Sequence, residues 1–320
     1  TMRFSIGRPF RTAALAVAVF VVCAALAETV DPVPVTGDAA GAVRQLLEDG
    51  KYADAEVAAR THLVATEAAT GCESLETAEA LELLAESLWR GGKALSEGAA
   101  ALAEQAVAIK EKALGSLDQR VSDSLVHAAN VHGTVGNNLR ERELEERALE
   151  ISTELWGPDD RRVALIHHNL GYALYETDAR EAERHWREAL RIYETVAGPE
   201  SLDVAYTLGA LATCASDRGD FVEAEAAYKR AIGIQEVALG PRHPSVAIVY
   251  NNLGYLHQET GDYEQARAEL RHALSIREEK LGPEHESTMM NLGNLAILDA
   301  RLGLPAAERA PLRAAGSGCV

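Results

Sequence analysis

The side chains able to carry chemistry are histidines, cysteines and an excess of carboxylates, and their spacing disfavours most reactions. A helical metal site needs two histidines one turn apart with a carboxylate in reach. His167 and His168 are adjacent instead, about 100° apart around a helix, so they cannot easily share one ion. Gly91-Gly92-Lys93 lacks the upstream Gly and the following Ser or Thr of a phosphate loop. No Gly-x-Ser-x-Gly elbow or Cys–His nucleophile arrangement occurs. The nearest thing to an acid–base pair is His168 with Glu176, too far apart along one helix to cooperate. No catalytic residue, metal or cofactor is expected, which leaves recognition chemistry.

The chain has 320 residues, 47% hydrophobic but only 5% aromatic, with a formal charge of −18. Ala, Leu, Glu and Arg carry most of the sequence, and these residues lose least on entering a helix. The acidic excess argues against nucleic acid, which needs a basic face. It favours a basic or polar partner, or simply solubility. Arg3, Arg8 and Arg11 precede an apolar run from Ala13 to Ala27, with Ala25-Leu26-Ala27 in the form of a signal-peptidase site. The expectation is export, to a periplasm or the medium, after cleavage near Ala27. The alternative is a membrane anchor formed by the uncleaved segment, although the run is shorter than the roughly 20 residues of a spanning helix. Residues 28–37 form a short linker. Beyond the leader stand Cys72, Cys214 and Cys319, too few and too scattered for a disulfide framework. Cys214 reads as a small buried hydrophobe.

The elements that must position any binding residues are repeats. Gly-Pro recurs at Gly157, Gly198, Gly240 and Gly282, and Gly115 and Gly71 extend the series without proline. A period near 42 residues is the mark of a solenoid. Gly in a left-handed cap followed by Pro stops a helix. Each period holds two apolar-periodic segments separated by a turn such as Gly219-Asp220 or Gly261-Asp262. Small residues recur at Gly171, Ala212 and Gly254, at Ala182, Ala224 and Ala266, and at Ala189, Ala231 and Ala273. Bulky ones fall between them at Trp186, Tyr228 and Leu270, and at Leu170, Leu211 and Leu253. Small side chains let two helices approach, and large ones from the neighbour fill the gap.

This pattern resembles the tetratricopeptide repeat, in the longer form of kinesin light chains. The fold expected is all-α: an α-solenoid, a right-handed superhelix of antiparallel helix pairs. It covers 38–304 in about seven repeats with degenerate ends, followed by an irregular tail, 305–320. Glu141 departs from the pattern, standing where a small residue belongs.

The resemblance implies that the first helix of each pair lines a concave groove for a peptide or protein partner. Carried over by register, the groove positions are His168, Tyr172, Tyr175 and Glu176, then Thr213 and Asp217, then Asn251, Tyr255, Gln258 and Glu259. Nearer the start they are Glu79, Glu82, Glu86, Trp89 and Arg90. Asn251 can donate and accept at once, which suits a peptide backbone. Tyr172 and Tyr255 serve either binding or packing. The glutamates from Glu79 to Glu86 read as a solvated face or, failing that, an attractor of basic groups. His132 and His257 are read as packing residues. The function expected is an exported, non-catalytic scaffold. The alternatives are a carrier or hydrolase-type enzyme acting on an oligomeric substrate in the groove, or a structural spacer without a specific ligand.

Overall fold

The computed structural model describes residues 38–95 and 98–304. The leader, the linker, the C-terminal tail and Cys319 lie outside the described residues. Within them are thirteen helices and no strand: α1 (Asp38–Glu48), α2 (Tyr52–Thr70), α3 (Leu75–Arg90), α4 (Ala99–Leu114), α5 (Gln119–Thr134), α6 (Asn138–Trp156), α7 (Arg161–Tyr175), α8 (Ala179–Val196), α9 (Leu202–Arg218), α10 (Phe221–Leu239), α11 (Pro244–Thr260), α12 (Tyr263–Leu281) and α13 (Glu286–Arg301). They make six antiparallel pairs and a single last helix. The described residues divide into two compact units, one ending at Ile192 and the other beginning at Tyr193. In each unit every helix packs on the next in sequence order, which is the α-solenoid arrangement.

Five of the six repeats that follow a closing glycine open with the same local device; Ser201, after Gly198, makes no such bond. Three residues after the periodic glycine, a side chain accepts from a backbone N–H of the first helical turn. Ser74 takes Thr77 N, Asp118 takes Arg120 N, Asp160 takes Arg162 N, and the Nδ1 atoms of His243 and His285 take Ser245 N and Ser287 N. These bonds satisfy donors that a helix start would otherwise leave open. The six glycines that close the repeats have φ between 83° and 89°. At Gly240, ψ is 151°, so the residue is extended at positive φ, not in the left-handed helical conformation expected of a cap. Gly261, inside a repeat, does adopt that left-handed form, with φ 87° and ψ 5°. Only the second geometry is open to Asn; the first belongs essentially to Gly.

Packing follows the small-against-large pattern. The alanines at 182, 189, 224, 231, 266 and 273 are fully buried, as are Trp186, Leu170 and Leu270, with Tyr228 and Leu253 almost so. Leu211 is the exception, half-buried. A methyl group at Gly171 would lie 2.2 Å from Trp186 Nε1, and one at Gly254 would lie 2.9 Å from Leu270 Cγ. The glycines are therefore the space into which the neighbour's large side chain projects. Glu141 is accommodated by the reverse exchange. It lies over Gly133, where a Cβ would sit 2.6 Å from its carboxyl carbon.

Ala224→Leu is expected to cost about 1–3 kcal/mol through overpacking, read as a lower urea midpoint. Gly240→Asn is expected to lose stability of the order of 1–3 kcal/mol where Gly261→Asn is nearly neutral. Equal losses at the two glycines would contradict the backbone assignment.

Candidate functional site: the first-helix side of the repeats

First helices of successive pairs meet one another, α1 with α3 and α3 with α5 in the first unit, α9 with α11 in the second. Their side chains join in a repeating way. In the first unit, Glu82 of α3 accepts from Ser124 of α5, and from Lys110 Nζ of α4 at 2.8 and 2.9 Å. In the second, Asn291 Nδ2 of α13 donates to Asn251 Oδ1 of α11 at 2.7 Å, and Asn294 of α13 donates to the Tyr255 hydroxyl. Polar residues on this side are therefore fixed by the adjacent repeat.

Several expected groove residues consequently turn out differently placed. Asn251 is only 2% exposed and is held by Asn291, so it is not a free clamp for a peptide backbone. His168 is buried edge-on to Tyr172, with ring centroids 5.1 Å apart. Burial lowers its pKa to about 4, so the ring is neutral at pH 7. Trp89 is buried too, its ring edge-on to His127 at 6.3 Å. Glu82 does not belong to a solvated stripe: it is the counter-ion of the buried Lys110. Burial decides each of these, because a sequestered polar group must find a partner inside the protein.

The remaining positions stay nearer the surface. Glu176, Asp217 and Glu259 are exposed, and Gln258, Glu79 and Thr213 are half-buried. Tyr172 and Tyr175 are also half-buried, Tyr172 edge-on to the Trp186 ring with centroids 5.3 Å apart and Tyr175 tilted against it at 5.5 Å. Thr213 shares a 2.9 Å hydrogen bond with the Tyr228 hydroxyl. Glu86 pairs with Arg90 at 3.1 Å. The Tyr255 hydroxyl is pushed up by burial, against the opposing pull of Arg277 and the Asn251 side chain.

Histidines and carboxylates do meet, but against second helices. His257 is buried with Nδ1 2.9 Å from Glu269 of α12 and Nε2 3.6 Å from Glu225 of α10. His132 is buried with Nε2 3.0 Å from Glu104 of α4. Both pack between helices as expected, with a carboxylate partner in addition. His167 faces His185 of α8, not His168, with the two Nδ1 atoms 2.8 Å apart. Among the described residues no three metal-ligating side chains converge, and no helix is long and apolar enough to cross a membrane. Cys214 is buried and Cys72 exposed.

Two acidic residues of α6 are removed from water in the first unit, Glu145, which the sequence did not single out, and half-buried Glu141, which it marked as oversized. Glu145 is 1% exposed and, among the described residues, accepts one hydrogen bond, from Asn169 Nδ2 at 3.0 Å, while Oε2 has no partner there. Burial drives its pKa well above the ordinary value, and nearby Glu141 adds to the rise. Glu141 is pushed up to about 7 by burial.

The tetratricopeptide repeat family model matches residues 162–236, 203–279 and 245–315. No curated protein matches the chain. Among solved structures, BtubC (BKLC) from P. vanneervenii is similar at 21% identity and a TM-score of 0.57, over 76% of this chain and 91% of that one. Nearly identical TPR-like repeats of a putative kinesin light chain from Podosopora anserina align at 22% identity and a TM-score of 0.53, over 64% of this chain and 97% of theirs. The apo form of RapI aligns at 14% identity and a TM-score of 0.59, over 83% of this chain and 71% of that one. At these identities the likeness concerns the fold.

The folded protein keeps protons on Glu141 and Glu145 that the unfolded chain releases above the ordinary carboxylate range. Their contribution to stability is thus complete at acid pH and is lost as pH rises, for Glu141 through about 7. Glu141→Gln is expected to be more stable than the native chain at pH 8 by about 1–2 kcal/mol after allowing for partial exposure. The gap should close towards pH 4.5, as followed by thermal melts across that range; a gap independent of pH would refute the assignment.

Proposed function

The chain carries tetratricopeptide repeats, and from that premise we propose that it is an exported scaffold holding an extended polypeptide along its first-helix side. Tetratricopeptide repeats typically serve protein–protein interaction, and the fold is generally a scaffold and not a catalyst. The observation that carries the finer reading is the cross-linking of first helices by Glu82–Ser124, Asn251–Asn291 and Tyr255–Asn294. A surface whose polar groups are fixed before a ligand arrives loses little entropy on binding. Above that layer Tyr175, Gln258, Asp217 and Glu259 offer the accessible contacts. Export is supported by the positive start, apolar run and small-residue exit of the first 27 residues.

A pull-down with the mature chain tests the groove. Tyr175→Ala with Glu176→Arg, and separately Tyr255→Ala with Glu259→Arg, should each lower recovery of specific partners by at least about fivefold. Val237→Ser, on an exposed second-helix position, should leave recovery unchanged. Identical recovery by all the variants would mean the binding side lies elsewhere. Fractionation with N-terminal sequencing tests export: a product starting at Glu28 outside the cytoplasm is expected, and an intact leader in the cytosol would overturn it.

A further inference from the structure

The outer faces of the second helices differ in one respect. Residues eighteen, fourteen, seven and three places before a closing glycine fall on one strip, about 60° wide and roughly 22 Å long on a straight helix. In α2 they are Ala53, Val57, Val64 and Ala68, and in α10 they are Val222, Ala226, Gly233 and Val237. Each of the other four second helices places a charged side chain in these columns: Lys112 of α4, Glu143 of α6, Arg184 of α8 and Glu264 of α12. The α2 and α10 strips are uncharged and uncovered. Val57 and Val64 are each 67% exposed, Val222 86% and Val237 90%, and the alanines and Gly233 are exposed with them. Uncovered apolar surface of this kind marks places where something docks.

Gly233 sharpens the point. It lies inside α10, where glycine is a poor helix former. A methyl group added there would touch nothing in its own chain, and its φ is not positive. Neither packing nor backbone within the chain accounts for the missing side chain.

The two strips are opposite in profile. In α2 the inner pair is large and the ends are small; in α10 the inner pair is small and the ends are large. Laid together, with Val57 and Val64 over Gly233 and Ala226, every large residue of either strip meets a small one of the other. The spacings are identical and read alike from either end, so the match holds for parallel or antiparallel helices. Against its own copy a strip fares worse: valine meets valine in α2, and in α10 the end valines hold the small centres apart. Large against small is the rule that already seats Trp186 over Gly171 and Leu270 over Gly254.

We propose that the protein self-associates through these strips, α2 of one copy packing on α10 of a second. Both strips are exposed in the folded chain, so each is open to the other in a neighbouring molecule. Made reciprocally, the contact closes a twofold dimer. Two four-turn helix crossings bury on the order of 1,200 Å², the lower end of a standard stable interface. The charged flanks are neutralised within each copy: Glu225 holds Lys229 at 2.5 Å, Glu194 holds Arg230 at 2.9 Å, and Glu56 holds Arg60 at 3.0 Å. Two copies of net charge −18 repel at long range, so self-association should strengthen as salt rises from about 0.05 M to about 0.5 M. The surface lies on second helices and goes beyond the polypeptide-binding reading of the first-helix side.

Sedimentation velocity of the mature chain, from low micromolar to several hundred micromolar, tests this. A concentration-dependent dimer is expected. Val57→Glu with Val64→Glu, and separately Ala226→Glu with Gly233→Glu, should each weaken it by at least about tenfold, with helix content unchanged by circular dichroism. An equimolar mixture of the two variants should form one-to-one pairs at loadings where neither associates alone, since each keeps the strip that the other has lost. Gly233→Leu adds apolar surface but fills the hole, so it should weaken the dimer; a stronger dimer would indicate unspecific adhesion and overturn the proposal. A chain monomeric at every loading does the same, as does one variant that still associates like the native chain, because a strip would then be pairing with its own copy. Val237→Ser should weaken self-association while partner capture stays unchanged, so loss of either property leaves the reading of the other intact.

Discussion

The structure depends on how closely two helices of a pair can approach. Gly171 and Gly254 leave no side chain between the backbones, and Trp186 and Leu270 enter the space so created. At that separation the large residues reach polar partners on the first helix as well as filling volume. Trp186 Nε1 donates to the His168 carbonyl at 3.0 Å, and the Tyr228 hydroxyl meets Thr213. A buried indole or phenol is stable only with such a partner. One contact therefore sets the pair distance, satisfies the buried donor and fixes which face of the first helix is turned away.

The same economy explains the glycine at every repeat boundary. The chain must leave a second helix and enter the next first helix within a few residues. An extended conformation at positive φ achieves this, and it is closed to residues with a Cβ. At five of the six boundaries a capping side chain three residues later then anchors the new helix. His243 and His285 serve in this role through Nδ1, which gives two histidines a structural function.

Much of this was legible in one dimension. The Gly-Pro interval, the turn glycines and the alternation of small and large residues each depend on residues within one repeat, so the period exposes them. The polar layer was not legible in the same way. Aligning copies shows that Asn251, His168 and Glu82 are equivalent, but equivalence says nothing of what lies across from them. Their partners are Asn291, 40 residues on, a packed Tyr172, and Ser124 with Lys110. Seen as isolated groove positions these side chains look free; in the fold the next repeat occupies them. Glu141 shows the limit from the other side. Its mismatch was visible as an oversized residue, whereas the compensating Gly133 could be recognised only once the two faced each other.

From Gly115 onward, the slot five residues before each closing glycine is a buried one. It holds Lys110, Ser152, Tyr193, Gln235 and Arg277 in turn, each almost fully buried. Every occupant bears a polar group, so each repeat needs its own means of satisfying it. Lys110 uses Glu82, and Ser152 uses the Ser122 hydroxyl at 2.8 Å. Apolar packing in these repeats is nearly invariant in kind, because the approach distance permits few alternatives. Variation is thereby concentrated in columns where one polar residue can be exchanged only if another, on a different helix, changes with it.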